Sequence, residues 1–151
     1  RQGAVWKTAL FAAPAVFVAT LSGPQALPGA CSLLTKELAL KVTSVANKQV
    51  FDSVQAEEEK LTPNGTSCEY GDIRIQLRAV TRQGLGAEYV AVPNLGDQAW
   101  FRANPNRYAE LTVTVGTRTL DIQMAVPSGG TVDAVRPKAI QLATELLPKL
   151  R

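Results

Sequence analysis

The chain contains no histidine in its 151 residues. That absence removes the commonest general base, the Ser-His-Asp and Cys-His nucleophile pairs, and most catalytic zinc sites. Cysteine occurs only twice, too few for a metal centre without histidine beside it, and no metal is expected. Long apolar runs are scarce. The longest, Ala9 to Leu21, holds 13 residues and contains Pro14, whereas a membrane-spanning helix needs about 20. Phosphate-loop, Gly-x-Ser-x-Gly and Ser-x-x-Lys patterns are missing, and Gly84-Leu85-Gly86 lacks the third glycine of a dinucleotide fingerprint. No cofactor is expected. With 46% hydrophobic and 19% charged residues, the composition excludes a disordered chain, a collagen-like repeat and a polytopic membrane protein, and the length predicts one domain.

The first thirty residues differ in kind from the rest. Arg1 and Lys7 precede an uncharged stretch from Thr8 to Ala30 with an apolar centre, the layout of a secretory signal peptide. Residues 1–30 are therefore read as a leader and 31–151 as one exported domain, secreted or held at the cell envelope. Ala30 suits the position before the cut, and Ala26 offers a second site. Contact with a membrane is expected only through an uncleaved leader or through a lipid on Cys31. The lipid route calls for Leu three residues before the cysteine, where this chain has Pro28.

Removing the leader changes the electrostatics. The whole chain carries +3, but all 13 acidic residues and only 14 of the 16 basic ones follow residue 30, so the exported part is near neutral. Arg74, Arg78, Arg102 and Arg107 are scattered without the aromatic interleaving of single-strand-binding proteins, and nucleic acid is not an expected partner. Two cysteines in an oxidising compartment predict a disulfide between Cys31 and Cys68.

Apolar periodicity organises the remainder. Thr35 reads as the cap of a helix carrying Leu38, Val42 and Val45 and ending near Asn47. Gln49 to Gln55 reads as a strand, and Glu57-Glu58-Glu59-Lys60 through Pro63-Asn64-Gly65 as a polar loop. Asn64-Gly65-Thr66 matches the glycosylation sequon. From Ser67 the period becomes two. Strands are predicted at 67–70, 73–80, 88–92, 99–103, 107–115 and 118–126, joined as an antiparallel meander with turns at Gly71-Asp72, Asn104-Pro105-Asn106 and Gly116-Thr117. A final helix carries Ile140, Ala143, Leu147 and Leu150, with Pro137 in its first turn. The expected architecture is α+β: an antiparallel meander with an N-terminal and a C-terminal helix packed on one face.

Trp100, Phe101, Arg102, Arg107 and Tyr108 gather around one predicted hairpin. Trp100 and Arg102 share a strand face, and with Arg107 and Tyr108 they are the candidate binding residues, an aromatic and guanidinium surface suited to a partner or an apolar ligand. Asp97 is expected to close a turn, with a functional role as the alternative. Asp97, Glu110 and Asp121 are the carboxylates that a small hydrolase could pair. No catalytic residue is assigned.

Three short motifs carry a resemblance: Cys31-Ser32-Leu33-Leu34-Thr35, then Cys68-Glu69-Tyr70, then Leu95-Gly96-Asp97-Gln98-Ala99-Trp100. In these the chain resembles a group of uncharacterised exported actinobacterial lipoproteins and secreted domains, departing from it at Asn94, where glycine is usual. The resemblance implies a disulfide between the two cysteines and supplies no catalytic residues. The expected function is a non-enzymatic binding domain of the envelope or medium, its partner a protein, a lipid or a glycan. A paired-carboxylate hydrolase and an inhibitor-like or structural envelope protein are the alternatives.

Overall fold

The computed structural model describes residues 26–82, 85–105 and 107–151. The leader expected at 1–30 lies largely outside the described residues. Four α-helices and seven strands follow in chain order: α1 (Ala30–Leu33), α2 (Lys36–Val42), α3 (Lys48–Asp52), β1 (Glu57–Leu61), β2 (Gly65–Tyr70), β3 (Ile73–Arg78), β4 (Val90–Ala91), β5 (Gln98–Asn104), β6 (Tyr108–Val115), β7 (Arg118–Ala125) and α4 (Val132–Leu146). The fold is α+β. All strands form one antiparallel sheet in the order β1-β2-β3-β7-β6-β5-β4.

That order corrects the single meander. β1-β2-β3 and β4-β5-β6-β7 are each a meander, but they join through β3 and β7, whose register sets Ile75 opposite Ile122. Residues of period two on these strands put Ile73, Ile75, Leu77, Leu111, Val113, Leu120, Ile122 and Met124 on one face, all buried. Onto that face α4 brings Val135, Ala139, Leu142, Ala143 and Leu146, and α1 packs against β2 and β3. Among the described residues no helix is long and apolar enough to cross a membrane.

Several local expectations are corrected. Thr35 does cap α2, accepting from the Leu38 amide at 3.3 Å, but the helix stops at Val42 and not near Asn47. There the Thr43 hydroxyl donates to Asp72 Oδ1 at 2.8 Å and the Ser44 amide to Asp72 Oδ2 at 2.9 Å, drawing the chain toward the β2–β3 turn. Gln49 to Gln55 is not a strand. Asn47 caps α3 by accepting from the amides of Gln49 and Val50, and Phe51 is buried with its ring centroid 5.2 Å from that of Tyr70. The close approach of Phe51 requires Gly71, at φ 61°, where an added Cβ would lie 2.2 Å from the ring.

The polar loop at Glu57–Lys60 is instead edge strand β1, paired with β2. Its charges suit an edge, where one side of the ladder stays open to water. Pro137 is not in the first turn of the last helix. Thr131 caps α4 by accepting from the Ala134 amide at 3.2 Å, which places Pro137 inside the helix. The ring sits on the solvent side, where water can reach the carbonyl that loses its donor.

The predicted disulfide is present, Cys31 to Cys68, with Cα atoms 4.9 Å apart. It ties α1 to β2. The folded unit also takes in residues upstream of position 31: Ala30 is fully buried and Leu27 packs against the core.

Candidate functional site

The sheet face turned away from the helices is closed from water over part of its width. Thr112, Thr114 and Thr119 on β6 and β7 are buried there. The connection from β3 to β4 crosses this face: the Arg82 amide donates to Thr119 Oγ1 at 3.2 Å, Thr119 Oγ1 donates to the Val80 carbonyl, and the Thr81 hydroxyl donates to the Gly116 carbonyl at 3.0 Å. Strand register then lines up one polar row across six strands, Glu57, Glu69, Arg74, Gln123, Glu110 and Arg102, each opposite the next.

The two ends of this row behave differently. Arg102 Nε donates to Glu110 Oε2, and Glu88 approaches the same guanidinium at 3.6 Å. Tyr89 closes over it, its ring centroid 4.9 Å from the guanidinium carbon. The bond to Glu110 holds Arg102 above its ordinary range, with burial opposing. Gln123 Nε2 donates to Glu110 Oε1 at 2.8 Å, so both carboxylate oxygens are engaged. Two residues along the same two strands, the Thr112 hydroxyl donates to Asp121 Oδ1 at 2.6 Å, while Asp121 Oδ2 is buried with no partner among the described residues. Burial pushes the Asp121 carboxyl above the usual carboxylate range, partly offset by the Thr112 bond.

Toward β1 the row opens. Arg74 and Glu69 face one another across β3 and β2, yet neither side chain has a hydrogen-bond or ion-pair partner among the described residues. With Tyr108 and Gln123 they line a cleft of about 160 Å³ closed at its end by Gly71 and Asp72. Tyr108 is 40% exposed there.

Of the residues predicted for binding, the sheet brings Trp100, Arg102 and Tyr108 to this polar face and turns Arg107 away from it. Arg107 sits in the β5–β6 turn at φ 66°, its guanidinium donating to the Pro127 carbonyl at 3.4 Å. Trp100 lies at a different opening from Tyr108, a cleft of about 250 Å³ formed by residues 91–100. Asp97 lines that cleft too, and it ties the β4–β5 connection to the end of β6: its Oδ2 accepts from the Gly116 amide at 2.7 Å and its amide donates to the Thr114 carbonyl at 2.9 Å. Gly96 beside it, at φ 60°, leaves no room for a Cβ against Val113 and Thr114.

Of the three carboxylates considered for hydrolysis, Glu110 and Asp121 are diagonal neighbours on β6 and β7, and Asp97 stands apart. Asp97 is bound at Thr114, and Glu110 lies four residues along β6, about 14 Å away at strand rise. No group of three or more metal-ligating side chains forms among the described residues. Sequence reasoning missed Glu69, Arg74 and Gln123 because only the β2–β3–β7 register makes them neighbours of Tyr108. The available signal was the alternation Arg74, Gln76, Arg78 against Gln123 and Asp121, once β3 is paired with β7.

Comparison with family models, curated proteins and solved structures finds no match to this chain.

Proposed function

We propose that this protein is an exported, non-enzymatic binding domain of the envelope or medium whose ligand is a sugar ring, held in the Tyr108 cleft. The observation that carries the reading is the open Glu69–Arg74 pair beside an exposed tyrosine. A carboxylate supplies only acceptors and a guanidinium only donors, so side by side they suit a ligand offering both, such as vicinal hydroxyls. The Tyr108 ring adds a face whose negative quadrupole attracts the C–H groups of a pyranose. Gln123 has its amide nitrogen committed to Glu110, which orients its carbonyl oxygen as a further acceptor.

Export is supported by the disulfide, which persists in oxidising compartments, and by the leader-like N-terminal residues. The resemblance to exported actinobacterial domains points the same way. A hydrolase reading draws on Asp121, whose raised carboxyl suits an acid, but its free oxygen is closed from solvent and its neighbour Glu110 is spent on Arg102 and Gln123. Binding therefore fits the geometry better.

Saturation-transfer NMR with the methyl pyranosides of glucose, mannose and N-acetylglucosamine at millimolar concentration tests this. Saturation of ring C–H protons in the wild type and its loss in Tyr108→Ala is the expected result. Absence of transfer from all three, or undiminished transfer in Tyr108→Ala, overturns it.

A further inference from the structure

We propose that leader removal cuts the chain after Ala26, so that the mature protein begins at Leu27, and that the Cys31 sulfur carries no lipid. The inference rests on the export reading and concerns where processing falls. Ala26 and Ala30 both offer a small residue before a cut, and each has proline three positions back when counted as a signal site, Pro24 and Pro28. Sequence alone places the cut after Ala30 first and the cut after Ala26 second. The fold reverses that order.

Residues 27–30 belong to the folded unit. Ala30 opens α1, is fully buried, and its carbonyl accepts from the Leu34 amide at 2.9 Å. The Gly29 carbonyl accepts from both the amide and the hydroxyl of Ser32, at 3.0 and 2.6 Å, and the Pro28 carbonyl accepts from the Thr66 hydroxyl at 3.3 Å. Leu27 packs against the core, whereas Ala26 is exposed. A cut after Ala30 deletes every one of these acceptors and the first residue of α1, leaving the Cys31–Cys68 disulfide to hold the shortened segment to β2. A cut after Ala26 deletes none of them. The bond from the Cys31 amide to Glu58 Oε1 at 2.9 Å does not discriminate, since an ammonium at Cys31 would satisfy the same carboxylate.

The lipid route also requires a cut directly before Cys31 and a thioether on its sulfur. That sulfur has one bond to its own Cβ and one to the Cys68 sulfur, which fills both valences. Disulfide and thioether exclude one another at the same atom.

N-terminal sequencing and intact mass, before and after reduction, of the full chain recovered from an exporting host decide the matter. Expected is a chain beginning at Leu27 that gains two hydrogens on reduction and carries no acyl mass. A chain beginning at Cys31, acylated or not, overturns the inference and leaves export standing. A chain that still carries Arg1 overturns the inference together with the export reading.

Discussion

Two glutamate–arginine pairs occupy the same polar row, and only one of them is closed. Glu110 and Arg102 are joined, with side chains 13% and 24% exposed under Tyr89. Glu69 and Arg74 stand opposite one another with no bond between them. Burial explains the difference. Beneath the β3–β4 connection an unpaired charge would lose its water without compensation, so pairing is enforced there. At the open end each group keeps its water, and pairing would gain little. A single polar row thus serves as a structural clamp at one end and as an unspent donor–acceptor set at the other.

The largest way to break this comparison is to loosen the strand that carries its open end. Cys68 precedes Glu69 on β2, and the disulfide closes a separation of 37 residues, so the double Cys31→Ser, Cys68→Ser variant is expected to lose about 3–4 kcal/mol in urea unfolding. Amide exchange should quicken more in β1–β3 than in β5–β7. Equal quickening of both meanders would show that the staple acts on the whole sheet.

Next is the closed pair. Glu110→Ala leaves the half-buried Arg102 with only the longer Glu88 contact and frees Gln123, for an expected loss of about 2–3 kcal/mol in the same measurement. A loss below 0.5 kcal/mol would mean that the clamp is no more than another surface pair.

Smaller still is the pH effect of Asp121. Its folded carboxyl is raised, so between the unfolded value near 3.8 and the higher folded value the native state holds more protons than the unfolded state. Stability therefore falls as pH rises from 3.8 through the folded value, and levels off above it. Asp121→Asn should flatten that decline in denaturation midpoints taken from pH 3.5 to 7. An unchanged slope would assign the pH dependence elsewhere.

The smallest stability effect belongs to the open pair. Arg74→Ala and Glu69→Gln are each expected within about 0.5 kcal/mol of wild type while removing most of the sugar response. If either change unfolds the protein, the pair is structural after all.

Which parts of this were legible in the sequence follows from the range of the interactions. Alternation in Ile73–Leu77, Leu111–Val115 and Leu120–Met124 declared the core strands, because burial on one face writes itself at period two. Thr35 declared its helix start through a local cap. By contrast, Val50, Phe51 and Val54 read as a strand because β-branched and aromatic residues outvoted Asn47, and the cap together with the Phe51 pocket decided otherwise. Glu57-Glu58-Glu59 read as loop because charge usually means solvent, and on an edge strand both are true. Thr131 was overlooked in favour of Pro137, a strong local signal that this helix simply absorbs. The site was least legible. Trp100 and Tyr108 stood out by type, but Arg74, Glu69 and Gln123 meet Tyr108 only through the pairing of β3 with β7.

That pairing also bears on folding. Each meander closes through short hairpin turns, so its strands meet at small entropic cost, whereas the β3–β7 seam joins Ile75 to Ile122 across the whole second meander. The centre of the finished sheet is thus the pairing with the largest loop-closure cost, and until it forms the apolar faces of two half-sheets stand open to other chains.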